Sequence, residues 1–280
     1  MQLGIRLHDI KKAPLPERLK IAEEQGFACG HLALSKVISE YPVDDGALTP
    51  GYALYLKRLF EKYHLDIAVL GCYLNLANPN PESLAKITHR YLAHIRFASL
   101  LGVGVVGTET GAVNEEYRFE EKNHSDEALE IFIRNVKPVV EYAEKMGVIF
   151  AIEPVYKHIV CNPIRAREVL DKIGSPNLQI IFDPVNLLDS CNYRDRDAII
   201  EEAIDLLGED IAMIHIKDFV VQDGELVSVA AGTGEMDYGK IIRFIKERKP
   251  YVHVTLENTV PENAVEARRY IQGLWDTCEL

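Results

Sequence analysis

Short apolar runs alternate along this chain with longer segments that carry apolar residues at helical spacing. The runs predict eight strands, at Leu3–Leu7, Phe27–Leu34, Asp66–Tyr73, Val103–Gly107, Gly147–Glu153, Leu178–Asp183, Ile211–Ile216 and Tyr251–Glu257. Helical periodicity predicts eight helices, at Leu15–Gln25, Pro50–Tyr63, a segment from Asn78–Pro81 to Leu101, Ser125–Met146, a segment that starts at Pro163, Asp195–Leu207, Lys240–Glu247 and Pro261–Trp275.

Strict alternation of strand and helix predicts parallel strands joined by right-handed crossovers. Eight such units in 280 residues fit an α/β fold, a single (β/α)8 TIM barrel that spans residues 1–280 as one domain. A doubly wound open sheet is the alternative fold. No G-x-G-x-x-G follows the first predicted strand, so the sequence favours the barrel.

The fifth and sixth predicted strands share an unusual ending. Gly147–Pro154 reads G-V-I-F-A-I-E-P and Leu178–Asn186 reads L-Q-I-I-F-D-P-V-N, so each apolar run closes on a carboxylate and a proline. The carboxyl ends of barrel strands are where active sites form. Alone, Glu153 or Asp183 fits the role of a helix-capping or loop-bracing acid equally well.

The next two strands end in the same way, which favours a functional site. The seventh ends at His215 and the eighth at Glu257, so four consecutive strands each end in a residue able to bind metal. Three carboxylates and an imidazole packed together repel one another unless a cation neutralises them. Oxygen and imidazole ligands without thiolate suit Mn2+, Mg2+, Co2+ or Zn2+. We therefore expect one divalent cation held by Glu153, Asp183, His215 and Glu257.

Weaker candidates lie near the same strand ends. Lys217 follows His215 by two residues, so it leans to the same side and is able to bind a substrate oxygen, although a solvated rim lysine is equally plausible. Further candidates for the substrate pocket are Glu109, His8, His31, His158, Tyr73 and Asn75. His253 lies deeper in its strand and is interpreted as core or as a neighbour of the ligands. The glycine-rich segment 232–239 lacks G-K-[ST] and is interpreted as a mobile flap.

Composition narrows the partners and the compartment. The formal net charge of -12 argues against a nucleic-acid partner, and no apolar run approaches a membrane span. The five cysteines form no C-x-x-C pair, which is typical of reduced thiols in a cytoplasmic protein. An arginine and a histidine interrupt the first apolar run, so we expect no signal peptide. The oligomeric state is left open, although the exposed helices of such barrels commonly pair into a homo-oligomer.

The motifs E-P, F-D-P-x-N, H-I-K-D, A-G-T-G-E-M-D and L-E-N, in this order, resemble the xylose isomerase-like TIM-barrel superfamily. This group includes sugar phosphate isomerases and epimerases, with ketose 3-epimerase, hydroxypyruvate isomerase-like and inosose isomerase-like members. The resemblance covers nearly the whole chain. It implies one divalent ion, often Mn2+, on Glu153, Asp183, His215 and Glu257, with the two glutamates as acid and base. The superfamily usually has a histidine that contacts substrate three residues after the aspartate, in D-x-x-H. This chain has Asn186 at that position, so we expect Asn186 to hydrogen-bond the substrate without carrying a proton.

Such a site would abstract a proton beside a carbonyl of a small sugar and stabilise the enediolate. Epimerisation, aldose–ketose isomerisation and elimination from a keto-sugar or keto-inositol all start with this step, and the sequence does not choose among them. Two other functions are disfavoured. A DNA-cleaving hydrolase of the same superfamily needs a basic face, and the net charge of -12 argues against it. A non-catalytic sugar-binding barrel needs no clustered carboxylates, so the four strand-end ligands argue against it. The absence of an arginine cluster favours an unphosphorylated sugar.

Overall fold

A closed barrel of eight parallel strands forms the centre of the molecule. The computed structural model describes residues 1–280. The ring of strands closes because the first strand, Gln2–Arg6, pairs in parallel with the last, His253–Leu256. Helices surround the barrel, so the predicted (β/α)8 fold is confirmed and the open-sheet alternative is excluded.

The secondary-structure bounds follow the predicted order closely. The barrel strands are β1 Gln2–Arg6, β2 Cys29–Leu32, β3 Asp66–Gly71, β4 Val105–Glu109, β5 Ile149–Glu153, β6 Leu178–Phe182, β7 Ile211–Ile216 and β10 His253–Leu256. The helices are α1 Leu15–Glu24, α2 Leu34–Val37, α3 Pro50–Lys62, α4 Pro81–Leu101, α5 Asp126–Met146, α6 Pro163–Ile173, α7 Arg196–Leu207, α8 Gly239–Arg248 and α9 Ala264–Thr277. No helix of this protein combines the length and the hydrophobicity that a membrane crossing needs.

Helix ends lie where local chemistry places them. Asn162 precedes α6, and its side-chain oxygen accepts a hydrogen bond of 2.9 Å from the backbone N–H of Arg165. Gly102 and Gly147 end α4 and α5 in the left-handed conformation, with φ of 81° and 67°. These caps confirm the predicted boundaries.

The barrel interior is filled by side chains and forms a rigid floor beneath the strand ends. One small buried cluster brings together residues of four different strands, Val69, Ala151, Ile181 and Met213. Their contact across strands places them inside the barrel. A Cβ on Gly107 would lie 2.6 Å from Ile181 Cδ1, so this strand contributes no side chain at that level. Close packing at this depth fixes the strand ends above it.

A β-hairpin outside the barrel was missed by the sequence prediction, which assigned a loop there. Strands β8 (Asp218–Gln222) and β9 (Glu225–Val229) pair antiparallel. Asp223 and Gly224 connect them with φ of 50° and 83°, the backbone that a tight two-residue hairpin turn requires. The dipeptide D-G was the available signal.

The glycine-rich segment 232–239 is held in place, contrary to the expectation of a mobile flap. The Asp218 carboxylate accepts hydrogen bonds from the backbone N–H groups of Gly232, Gly234 and Met236, at 2.9 to 3.1 Å. Met236 and Tyr238 are buried against the core. One carboxylate that accepts several backbone donors fixes this segment beside β7.

Gly234→Ala is therefore expected to destabilise the fold. A Cβ at Gly234 would lie 2.1 Å from the carbonyl oxygen of Phe219 and 2.5 Å from the Asp218 carboxylate, so backbone must move. We expect a loss of about 2 kcal/mol or more, which lowers the melting temperature by about 5 °C. Gly273→Ala in α9 is the matched control, because its Cβ would meet nothing within 4 Å and alanine favours a helix. Equal melting temperatures for the two variants would contradict the anchoring role.

His253 does not belong to the core or the site. It lies at the first residue of β10, at the amino end of the barrel, and its side chain is 31% exposed. Its Nε2 atom lies 3.5 Å from Asp66 Oδ2, which begins β3 at the same end. The predicted strand began at Tyr251, two residues before the observed start, so His253 was expected inside the barrel and is instead found at its amino end.

Candidate metal centre and substrate cavity

The four predicted metal ligands meet at the carboxyl end of the barrel. Glu153 ends β5, Asp183 follows β6, His215 lies in β7 and Glu257 follows β10, and these strands are neighbours in the barrel. Their exposed fractions are 2%, 1%, 0% and 5%. Ionisable groups this deeply buried need charged or hydrogen-bonding partners.

The ligand atoms are close enough to share one cation. His215 Nδ1 lies 3.2 Å from Glu153 Oε1 and 3.3 Å from Glu257 Oε1. Ligand atoms of Glu153, Asp183 and His215 lie within 4.8 Å of one another, as do those of His31, His215 and Glu257. Two ligands bonded at about 2.1 Å to one ion at 90–109° are separated by about 3.0–3.4 Å.

Unpartnered atoms also fit a bound cation. His215 Nδ1 faces the carboxylates of Glu153 and Glu257, and its Nε2 is buried without a hydrogen-bond partner. In either orientation of the ring, one imidazole nitrogen is left for an ion. Asp183 Oδ1 accepts hydrogen bonds from the backbone N–H groups of Val185 and Asn186, at 2.9 and 3.2 Å. Asp183 Oδ2 has no partner in hydrogen-bond geometry, although Lys217 Nζ lies 2.9 Å away. The donor set therefore fits a divalent ion of the Mn2+ or Zn2+ type.

Asn186 and Lys217 link the ligands to one another. Asn186 donates through Nδ2 to Glu153 Oε1 at 2.6 Å, and its Oδ1 accepts from Lys217 Nζ at 2.7 Å. Lys217 Nζ also lies 3.5 Å from Glu257 Oε2. The lysine is buried beside the carboxylates, as expected of a residue that leans toward the site, and the alternative of a solvated rim position is excluded.

Arg6 and His31 complete the surroundings of Glu257. The Arg6 guanidinium is held by Asp9, with Nε 3.0 and 3.1 Å from its carboxylate oxygens, and places Nη1 3.1 Å from Glu257 Oε2. The His31 ring stacks on His215 at 5.2 Å between centroids, and its Nε2 lies 3.1 Å from the hydroxyl of Tyr73. Sequence reasoning missed Arg6 and named His31 as a weak candidate.

The charged surroundings at the centre raise the pKa of His215 and lower that of Glu257. Burial alone would lower the pKa of His215, but the carboxylates of Glu257 and Glu153 outweigh it and raise that pKa to about 9. Burial alone would raise the pKa of Glu257, but His215, Lys217 and Arg6 hold it well below its usual range. Without an ion, the centre is a network of charged groups that compensate each other.

A polar cavity of about 320 Å3 opens above these ligands. Its walls are made by Arg6, His8, His31, Lys36, Tyr73, Glu109, Tyr117, Glu153, Asn186, Lys217 and Glu257. Only two of these residues, Tyr73 and Tyr117, are hydrophobic, and every lining residue carries a hydrogen-bonding group, which suits a small polyhydroxylated molecule.

Some of the remaining predicted substrate contacts line this cavity, and others lie outside it. His8 and Glu109 line it, whereas His158 lies behind Glu109, with Nδ1 3.8 Å from Glu109 Oε2. Asn75 is buried in the loop contacts and does not line the cavity. Burial lowers the pKa of His8 to about 3 and that of His158 to about 4, so both rings are neutral near pH 7.

The fold is that of a (β/α)8 barrel, with a candidate metal site of carboxylates and imidazole at the carboxyl end of its strands. Comparison with known proteins specifies the family. The profile described as xylose isomerase-like TIM barrel matches residues 19–274. The chain therefore belongs to the xylose isomerase-like TIM barrel family, and the resemblance of its motifs is confirmed. No curated protein matches the sequence significantly.

Solved structures of the same fold include sugar epimerases. An IolI protein with a bound zinc atom superposes with TM-score 0.78 at 19% identity, covering 100% of this chain and 99% of that one. A D-tagatose 3-epimerase-like protein gives 0.77 at 20% identity, covering 99% and 97%. D-psicose 3-epimerase of Clostridium cellulolyticum H10, crystallised with D-tagatose, gives 0.73 at 15% identity, covering 98% and 99%. At these identities the similarity establishes the shared fold.

Proposed function

We propose that this protein is a divalent-metal-dependent isomerase or epimerase of a small ketose. The observation that carries the proposal is the convergence of Glu153, Asp183, His215 and Glu257, all buried, beneath a polar cavity of about 320 Å3. That volume accommodates one monosaccharide and is small for a longer saccharide. Several structural relatives are named as ketose 3-epimerases, which supports the same reaction class.

The four ligands would hold one ion, with Mn2+ as the favoured metal and Zn2+, Co2+ or Mg2+ as alternatives. When bound, the ion stabilises negative charge on a carbonyl oxygen and its neighbouring hydroxyl. Lys217, fixed by Asn186, places its ammonium beside the same ligands and adds a donor for a substrate oxygen. Asn186 keeps this donor in place without exchanging a proton.

The two glutamates have different surroundings, which supports different roles for them in the proposed reaction. Glu153 makes its contacts with Asn186 and His215 through Oε1 and has no arginine or lysine within 4 Å, so Oε2 is free to accept a proton from carbon. Both oxygens of Glu257 face cationic or imidazole groups. We assign Glu153 as the base that abstracts the proton, and Glu257 as the residue that returns one in an epimerisation.

Chelation and reconstitution test this proposal. Protein freed of metal should convert no ketose, and Mn2+ should restore conversion in a panel of D-fructose, D-tagatose, D-psicose and L-ribulose followed by NMR. Reconstitution with Zn2+, Co2+ and Mg2+ ranks the metals. Conversion at an unchanged rate in chelated protein with no residual metal would refute the proposal.

The pKa of His215 predicts how the metal-free protein responds to pH. The folded value of about 9 exceeds the unfolded value of about 6.5. Stability from the charged imidazole is therefore complete below about pH 6.5 and is lost as the pH rises through 9, about 3 kcal/mol in total. Because an ion must displace this proton, apparent metal affinity should rise up to about tenfold per pH unit over the same range.

Urea unfolding of chelated protein between pH 6 and 9.5 measures this effect. His215→Ala serves as the reference because thiols that are buried in the fold and exposed on unfolding titrate above about pH 8 in the unfolded chain only. The difference between the two proteins isolates the imidazole. His64→Ala, whose side chain is 84% exposed, should follow the native protein. A native curve parallel to that of His215→Ala would show that the imidazole is not charged in the metal-free fold.

A further inference from the structure

One part of the cavity wall has no role in the chemistry described above. Glu109 ends β4, where its Cα pairs with that of Glu153 on the neighbouring strand, so the two carboxylates leave the barrel side by side. The Tyr117 hydroxyl donates to Glu109 Oε2 at 3.2 Å, and both side chains line the cavity. No lysine or arginine lies within 4 Å of the Glu109 carboxylate, and its Oε1 accepts no hydrogen bond from the protein, so this cavity-lining side chain has an oxygen available as an acceptor.

The backbone at Tyr117 is in an unfavourable conformation that the surrounding loop maintains. Its φ of 56° is rare for a bulky residue and costs on the order of 1–3 kcal/mol. Asn75 holds one end of the loop by donating to the carbonyl of Asn114 at 2.8 Å, and Asn123 donates to the carbonyl of Arg118 at 3.3 Å. Two buried asparagines thus keep Tyr117 at the cavity, where a glycine would relieve the strain.

His158 supports the pair from behind. Its ring lies 5.1 Å from the Tyr117 ring, and its Nδ1 lies 3.8 Å from Glu109 Oε2. Because burial keeps this imidazole neutral near pH 7, it positions the pair without neutralising the carboxylate. This part of the wall therefore offers a carboxylate acceptor and a phenol, a combination that binds a hydroxyl donor and disfavours a phosphate or a carboxylate placed directly against Glu109.

We infer that Glu109 and Tyr117 form a specificity subsite that binds a hydroxyl of the sugar away from its reacting carbons. The inference rests on the proposed function and narrows its substrate class to uncharged monosaccharide ketoses. Glu109 accepts the hydroxyl proton in a hydrogen bond, and Tyr117 fixes the carboxylate. The configuration of the substrate at C4 or C5 then decides whether that hydrogen bond forms.

Binding of epimeric ketohexoses tests the subsite. D-fructose and D-tagatose differ at C4, and D-fructose and L-sorbose differ at C5, so their dissociation constants by ligand-observed NMR report recognition at these carbons. The native protein should prefer one sugar of at least one pair. Glu109→Gln should reduce that preference about tenfold or more, and Tyr117→Phe should reduce it in the same direction. The matched controls are Glu116→Gln, which removes a neighbouring exposed carboxylate, and Tyr251→Phe at a side chain that is 85% exposed.

Metal content and melting temperature of each variant should match the native protein, which separates recognition from folding. An unchanged preference in both variants, tighter binding of D-fructose 6-phosphate than of D-fructose, or binding of none of these sugars would overturn the inference. Hydrogen exchange of the same sugars in heavy water reports the proposed reaction separately. If the native protein exchanges hydrogen but the variants keep the native sugar preference, only the subsite is refuted. If the variants lose the preference but the native protein exchanges no hydrogen, only the proposed reaction is refuted.

Discussion

Glu153→Gln is expected to lower ketose turnover by about 100-fold or more while the protein keeps bound metal. Glutamine preserves an oxygen that coordinates an ion and has nearly the same shape, but its amide is a very poor base. The hydrogen bond from Asn186 to Oε1 at 2.6 Å can still form with the amide oxygen, so the geometry of the centre is retained. Steady-state turnover with elemental analysis of the same samples measures both quantities.

Glu257→Gln is expected to reduce turnover by a similar factor, with an added loss of order at the centre. The substitution removes the negative charge that faces Arg6 Nη1 at 3.1 Å and Lys217 Nζ at 3.5 Å. Glu116→Gln, at an exposed position, is the control for the chemical change itself. In an epimerase, one of the two site variants should still exchange substrate hydrogen with solvent without inverting the carbon. Normal turnover in both would remove the glutamates from the mechanism.

His215→Ala is expected to abolish most metal binding and, with it, the stabilisation that metal provides. An ion present at about 100 times its dissociation constant stabilises the native state by about 2.7 kcal/mol. The native protein should therefore melt several degrees higher with Mn2+ than with chelator, and the variant should melt at the same temperature in both. The exposed His64→Ala controls for histidine loss. Full metal occupancy in His215→Ala would show that the assigned site is wrong.

The sequence predicted the barrel and the ligand set because both depend on local patterns. Apolar runs that end in Glu153, Asp183, His215 and Glu257 are visible without a structure, and strand ends meet only in a closed parallel barrel. Whether these residues bind metal remains a prediction. Arg6 was missed because its contact with Glu257 spans nearly the whole chain and exists only where β1 pairs with β10.

Other features had weaker signals or none. The D-G dipeptide at 223–224 is a typical signal of a hairpin turn and lies between β8 and β9. The hairpin was not predicted because eight strands already completed the expected barrel. Asp218 was visible in H-I-K-D, but its hydrogen bonds to Gly232 and Gly234 depend on how the chain returns. Tyr117 lies far from any strand end, and no pattern in the sequence places it against Glu109.

The central claim, proton abstraction beside a carbonyl, is tested most directly by turnover in heavy water. The Mn2+-loaded native protein should place solvent deuterium on a sugar carbon next to the carbonyl, at a rate that chelation abolishes and that Glu153→Gln lowers about 100-fold. NMR and mass spectrometry of the recovered ketose locate the label. Conversion of a ketose with no deuterium at any carbon, at full rate, would contradict the enediolate route and point to direct hydride transfer between carbons.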